Sequence, residues 1–343
     1  MKEAPSAPPH QYIDRRTGRV CTERLFRDEI VRRLYDEARE YAPGVFRLAT
    51  SRRATTLLGW LNYDLPLGGA LSGNADFLRE SGIDLTECVD PPERMRTARR
   101  VFERRIRYWE CRPMPEDPAA VVSPADARVL TGSLAEQAPL FLKGKFFDLE
   151  ELLGRGQRAW LRAFDAGAYA IFRLTPDKYH YNHTPVAGIV RDLYEVRGRY
   201  HACNPSAVVA AVAPYSKNTR TVTILDTDVE GGTGVGLVAM IEVTALMIGE
   251  VVQRYSRERY DAPQPIAPGM FLARGCPKSL YRPGSSTDVL LFQRGRVAFD
   301  EDLLRNQQRS DVQSRFSLGF GRPLVETDVA VRSRIAVKRE DVL

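Results

Sequence analysis

The sequence predicts an α+β fold: a helical N-terminal region over residues 1–118, then a β-rich domain of packed, partly duplicated sheets over 119–343. Three observations predict it. Two stretches between residues 22 and 112 carry apolar residues every three or four positions, the period of an amphipathic helix. A proline-rich break, "RPMPEDPAA" (112–120), follows. Beyond it, short runs rich in β-branched and aromatic residues recur between turn signals.

The first helix is expected over 22–41, "TERLFRDEIVRRLYDEAREY", with Thr22 as its cap. Phe26, Ile30, Leu34 and Ala38 recur every four residues, with Val31 and Tyr35 beside them. The second is expected over 93–112, where Met95, Ala98, Phe102, Ile106 and Trp109 form one stripe and eight arginines cover the rest. A basic amphipathic helix suits an anionic membrane surface, and equally an ordinary solvated helix face. Strands are then expected in "AVVSPADARVL", "LFLKGKFF", "YAIFRL", "AGIVRDLYEV", "TRTVTILDT" and "VLLF". A hairpin turn is expected at "LKGK" (142–145) and a short helix at "DLEELLG" (148–154). "SPADARV" (123–129) and "TPVAGIV" (184–190) share the form hydroxyl–Pro–x–x–small–x–Val, a weak repeat that two related β units, or coincidence in so short a match, would explain.

Composition sets the class. The chain has 343 residues, 43% of them hydrophobic, enough for a substantial core. Its longest apolar runs, 207–214 and 236–249, fall short of the roughly 18 residues that a membrane span needs, and Glu242 interrupts the second. The N-terminus lacks the apolar segment of a signal peptide. These features lead to the expectation of a cytoplasmic protein whose membrane contact is peripheral. A net charge of +6 favours an anionic partner, a phospholipid surface or a nucleic acid. Cys21, Cys88, Cys111, Cys203 and Cys276 form no CxxC pair, so reduced thiols are expected and no zinc or redox motif is readable.

Chemistry concentrates in two segments. "RLTPDKYHYNHTPVAG" (173–188) holds His180 and His183, two of only four histidines. Residues three apart face opposite sides of a strand, but an irregular segment before Pro185 brings both within reach of one pocket. No third ligand stands at metal-binding spacing, so no metal is expected. "LYRPGSSTDVLLF" (280–292) runs from a Pro283–Gly284 turn through Ser285 and Ser286 into a strand. Turns take glycine and serine for conformational reasons alone.

Taken in order, "VVSPADARV", "FLKGKFFDLEELLG", "RLTPDKYHYNHTPVAG", "KNTR", "LVAMIEVTALMIG" and "RGCPKSLYRPGSSTDVLLF" resemble the phosphatidylserine decarboxylases over nearly the whole chain. That resemblance implies a pyruvoyl enzyme that cuts its own backbone, with Ser285 as the nucleophile and the break between Gly284 and Ser285. Ser285 would then become the covalent pyruvoyl group, the ketone that takes up the substrate amine as a Schiff base. By position, His183 matches the base that activates the serine and Asp126 the residue that orients it. His180 matches the histidine of the decarboxylation step. The implied substrate is phosphatidylserine at an anionic membrane surface, with no role for nucleic acid. The implied assembly is a homodimer of the two cleaved chains.

Three positions depart from the family pattern: Ala127 replaces a glycine, Lys278 stands where glutamate is usual, and the run after Gly284 is one residue longer. Alignment from Arg274 forward puts Ser285 at the nucleophile, and alignment backward from Phe292 puts Ser286 there. Ser285 is preferred because Gly284 before it has no side chain to block attack, leaving Ser286 as an oxyanion donor. The competing readings are a pyruvoyl decarboxylase of a soluble, for example aromatic, amino acid and a non-catalytic lipid-binding relative.

Overall fold

Alternation in the second half of the chain builds one long sheet. The computed structural model describes residues 8–25, 28–35, 43–51, 82–136, 146–211, 214–245, 250–283 and 286–339, with scattered positions between 41 and 80. Its strands are β1 (Gln11–Asp14), β2 (Val20–Thr22), β3 (Ala120–Val122), β4 (Ala127–Ser133), β5 (Ala168–Leu174), β6 (Tyr181–His183), β7 (Gly188–Val196) and β8 (Arg220–Asp226). They continue with β9 (Leu237–Thr244), β10 (Val251–Gln253), β11 (Phe271–Leu272), β12 (Pro277–Tyr281), β13 (Ser286–Phe292), β14 (Val297–Phe299), β15 (Glu326–Val329) and β16 (Arg334–Lys338). Ten of them form a sheet in the order β11-β7-β8-β9-β13-β5-β4-β15-β1-β2. Two three-stranded sheets, β10-β12-β6 and β14-β16-β3, complete the β structure. The fold is α+β, as expected.

β13 lies at the centre, antiparallel to β9 and β5, with Ser286 opposite Thr244 and Leu174 and Phe292 opposite Val238 and Ala168. Every residue of β13 is buried, because both faces of the sheet are covered. Leu290 and Phe292 pack with Phe172, Met240 and Tyr281 on one face. Val289 and Leu291 pack with Ile171, Ile241 and Phe147 on the other. By strand alternation Ser286 and Asp288 share the first face, the one on which Tyr281 of β12 packs.

The strands expected in "AVVSPADARVL", "YAIFRL", "AGIVRDLYEV", "TRTVTILDT" and "VLLF" are present, and so is the helix at Leu149–Leu153, capped by Asp148. Of "LFLKGKFF", only Phe146 and Phe147 are described, and neither is in a strand. The "LKGK" turn lies outside the described residues. The two repeat segments lie side by side: Val122 N–H donates to Pro185 O at 2.9 Å and His183 N–H to Pro124 O at 2.7 Å.

The N-terminal expectations change. Residues 11–22 form β1 and β2, an antiparallel pair whose first strand joins β15 in parallel. Thr22 therefore ends a strand, and the first described helix begins at Asp28. The stretch 93–112 is not one helix but a 3-10 turn, a helix at Ala98–Phe102 and another at Tyr108–Cys111. Tertiary hydrogen bonds take over between them. Val89 N–H donates to Arg105 O at 2.8 Å, Arg107 N–H to Glu87 O at 2.7 Å, and Ile106 bridges to Cys88.

A buried ion network ties the chain's first strands to its last. Arg173 on β5 donates to both oxygens of Glu23, at 2.9 and 2.6 Å, and to both of Glu326, at 2.9 and 2.5 Å. Arg128 also reaches Glu23, and His10 Nε2 lies 2.8 Å from Glu326. Burial would raise the Glu23 carboxyl, but Arg128 and Arg173 outweigh it and hold it below the usual range. Breaking such a network strands a buried charge. Arg173→Met is therefore expected to cost about 3–5 kcal/mol in a denaturant unfolding curve, whereas exposed Arg33→Met changes the midpoint little.

Candidate active site

The site is built where β6 meets β12, with Pro277 opposite His183. A turn closed by Lys178 N–H to Thr175 O (2.9 Å) ends β5 and sends the chain through Tyr179 and His180 into β6. His183 is fully buried. Its Nδ1 lies 2.8 Å from the Gly275 carbonyl, which can only accept, so Nδ1 carries the proton. Nε2 keeps its lone pair and faces the Tyr179 hydroxyl at 3.0 Å. Tyr179 meets Tyr260 at 2.7 Å, and Tyr260 donates to the Ile106 carbonyl at 2.8 Å. The ring edge of Tyr108 closes the other side. Burial pushes the His183 pKa down to about 3, so the ring is a neutral base in one fixed tautomer.

Gly275 is required for this. Its φ is +74°, and a Cβ there would sit 2.4 Å from the Met114 sulfur. The carbonyl that fixes the His183 tautomer thus depends on a glycine.

His180 has different neighbours. Its ring stacks on Phe102 with centroids 3.6 Å apart. Neither ring nitrogen has a hydrogen-bond partner among the described residues. Burial, aided by the Arg104 guanidinium, pushes its pKa well below the usual histidine value. The two histidines are both neutral, but each ring is packed separately.

Asp126 is held by Arg112, whose Nη2 and Nε donate at 2.8 and 3.0 Å, and by the Val331 amide at 2.7 Å. Arg112 in turn binds Glu87 at 2.9 Å. Burial would raise the Asp126 carboxyl; Arg112 outweighs it, and the group stays ionised. The place on His183 Nδ1 that an orienting aspartate takes is filled by Gly275 O. Ala127 is not in the left-handed region and opens β4 without strain.

Gly284 and Ser285 lie outside the described residues. Ser286 opens β13 with its hydroxyl buried and without a hydrogen-bond partner among the described residues. Beside it runs a buried polar belt. Glu242 accepts from Lys278 at 2.7 Å, Gln253 at 2.8 Å, Asn182 at 3.2 Å and the Ser279 hydroxyl. Lys278, one of the family departures, is thus the counterion of a buried carboxylate.

Sequence reasoning missed Tyr179, Tyr260, Gly275, Arg112 and Phe102. Tyr179 stands four residues before His183 in the histidine segment and was within reach of a local reading. The others come from remote segments and carry no local signal. Among the described residues, His10, Glu23 and Glu326 come within metal-ligand spacing of one another. Arg128 and Arg173 already answer that negative charge.

The family profile described as phosphatidylserine decarboxylase matches residues 99–317, which include both histidines, Asp126, Ser286 and β13. The chain belongs to this family. It is 27% identical over 311 residues to the phosphatidylserine decarboxylase proenzyme of Fusobacterium nucleatum, covering 90% of this chain and 95% of that one. The proenzyme of Chlamydia trachomatis is 29% identical over 294 residues, 85% of this chain and 90% of its own. Proenzyme 3 of Schizosaccharomyces pombe is 28% identical over 300 residues, which make up 29% of that longer protein. The order of motifs that led to this family from sequence is therefore supported by whole-chain relatives.

Both histidines bind fewer protons folded than unfolded. Above about pH 6.5 each is neutral in either state; below it the unfolded form gains protons that the folded form refuses. Stability is therefore expected to fall as pH drops from about 6.5 toward 3, by up to about 1.4 kcal/mol per pH unit for each. Histidine ring resonances in NMR should remain those of neutral imidazole for His180 and His183 at pH 5, and imidazolium shifts there would contradict the site as described.

Proposed function

We propose that the protein is a self-processing, pyruvoyl-dependent phosphatidylserine decarboxylase. One observation carries the reading: the Ser286 hydroxyl, sealed from water and unpartnered among the described residues, sits on the sheet face that packs against the sheet carrying His183. An unsatisfied buried hydroxyl costs about 1–3 kcal/mol, and such a group is kept for chemistry more readily than for stability.

This placement favours Ser286 as the precursor nucleophile over Ser285, which the bare carbonyl of Gly284 had favoured. Its oxygen attacks the carbonyl carbon of Ser285, the peptide C–N bond breaks, and an ester replaces it. Loss of the Cα proton and of the ester oxygen from Cβ releases residues 1–285 as a carboxylate and leaves dehydroalanine at position 286. Water converts that to a ketone and ammonia. The ketone supplies the electron sink for loss of carbon dioxide from an amino acid.

The chain's own groups divide the remaining work. His183, neutral with its Nε2 lone pair free of a proton, accepts the serine proton. Asp126 keeps a negative charge in the same region without bonding to the ring. His180, neutral and stacked on Phe102, takes the decarboxylation step. The substrate is drawn from an anionic membrane surface. Ile30, Tyr41, Leu48, Leu57 and Trp60 are exposed in the N-terminal part, and no described helix is long and apolar enough to cross a membrane. The two cleaved chains stay together, and their pair forms a homodimer.

Intact mass spectrometry tests the cleavage. Fragments 1–285 and 286–343 are expected; 1–284 and 285–343 would restore Ser285. Ser286→Ala should remain one 38.6 kDa chain, while Ser285→Ala should still be cut. His183→Ala should block cleavage, and His180→Ala should be cut but lose about 10²–10⁴ in carbon dioxide release. Release from phosphatidylserine should far exceed release from free serine or an aromatic amino acid; the reverse order would replace this reading with the soluble-substrate one.

Membrane contact has its own test. Flotation with anionic vesicles should be strong at low salt and weaken at high salt, each basic residue near the surface adding about 1 kcal/mol. Equal binding to neutral vesicles would remove the electrostatic part.

A further inference from the structure

Residues 282–285 join β12 to β13, and one side chain reaches both ends of that join. Tyr281 closes β12, and its N–H donates to the His180 carbonyl at 3.1 Å. Its hydroxyl crosses to β13, 3.1 Å from Thr287 O and 2.7 Å from Asp288 Oδ1. Tyr281 and Asp288 are both fully buried.

Proton counting bears on the state of this contact. A hydroxyl has one proton, and a carbonyl oxygen can only accept. Tyr281 satisfies both neighbours at once when it donates to Thr287 O and Asp288, carrying a proton of its own, donates to Tyr281. The surroundings agree. Directly opposite Asp288 on β9 is Glu242, and on β5 it faces Phe172. From β12 it faces Tyr281, while the nearby Lys278 ammonium is spent on Glu242 and Gln253. Among the described residues, no cation bonds to Asp288. Burial, then the charge of Glu242, hold the Asp288 carboxyl well above its usual range.

We propose that Tyr281 and a protonated Asp288 form a latch across the scissile segment and act as positioning residues for self-cleavage. The inference rests on the self-processing reading and deepens it. The latch joins Tyr281, before residues 282–285, to Thr287 and Asp288, after them, and Tyr281 is tied, through His180 O, to the histidine segment. It works whether Ser285 or Ser286 attacks. Attack on a peptide carbonyl needs the reacting atoms in near-contact, and a misplacement of about 1 Å costs about 10²-fold. After cleavage Tyr281 lies in the large chain and Asp288 in the small one, so the same bond then spans the break.

Cell-free synthesis followed by gel and mass analysis over time reads the cleavage rate directly. Tyr281→Phe keeps the ring and loses the hydroxyl, and should cleave about 10- to 100-fold more slowly. Asp288→Asn is neutral and can still donate to Tyr281, so it should cleave within about threefold of wild type, whereas Asp288→Leu should match Tyr281→Phe. The double variant Tyr281→Phe, Asp288→Leu should be no slower than either single one, because both break one contact. If Asp288→Leu fails to fold, the Phe and Asn variants carry the comparison.

A second readout checks the proton. In the unfolded chain Asp288 ionises above about pH 3.9, while the folded chain keeps it protonated, so wild-type stability falls as pH rises from there. The melting temperature of Asp288→Asn should therefore exceed that of wild type by a margin that widens from pH 5 to pH 8. A constant margin, Tyr281→Phe cleaving as fast as wild type, or Asp288→Asn as slow as Asp288→Leu would each overturn the latch while leaving self-processing intact. An uncut wild-type chain would instead overturn the self-processing reading, and this role with it.

Discussion

The rest of the molecule depends on the insertion of β13 between β5 and β9. Two full ladders of backbone hydrogen bonds hold all seven of its residues, from Ser286 to Phe292, and two hydrophobic cores cover its faces. A strand held on both edges and both faces has almost no freedom to shift, since a slip of one residue would turn every side chain to the wrong face. The apolar end anchors it through Leu290, Leu291 and Phe292. That anchoring carries the polar end, Ser286 to Asp288, into a place that hydrophobic burial alone would never stabilise. Stability made at one end of the strand supports chemistry at the other.

Desolvation is the common electrostatic cause in the site, and its effect differs with each group's partners. His183 and His180 lose their charge because burial opposes it and, among the described residues, no carboxylate touches either ring. Asp126 and Glu242 keep theirs because Arg112 and Lys278 lie within 2.8 and 2.7 Å. Asp288, equally buried but beside an already satisfied carboxylate, is pushed well above the usual carboxylate range. Within one small volume the fold thus holds neutral bases, paired anions and a neutral acid.

The N-terminal residues enter the same architecture through charge. β1 and β2 add to the sheet at β15, and Glu23 beyond them is clasped by Arg128 of β4 and Arg173 of β5. Such a buried pair adds little net stability over a well-packed apolar alternative, but it specifies one docking geometry, since any other leaves charges unpaired. The first strands are thereby tied to the sheet that carries β13.

The sequence by itself determined the α+β class, the strands β3, β4, β5, β7, β8 and β13, the short helix after Asp148, and the segments that hold the histidines and serines. Those are local properties: alternation, turn residues and motif order lie within a few positions of one another. It did not determine where the arginine-rich stretch 93–112 would break, because Ile106 and its neighbours give up helical hydrogen bonds for partners such as Cys88 and Tyr260. Nor did it show that Gly275 rather than Asp126 holds the His183 ring, or that Arg112 claims the aspartate. The sheet face taken by Ser286 and the protonation of Asp288 were decided by tertiary structure alone. Both follow from which remote groups a side chain meets once water is removed, and desolvation sums over neighbours that the order of residues along the chain does not reveal.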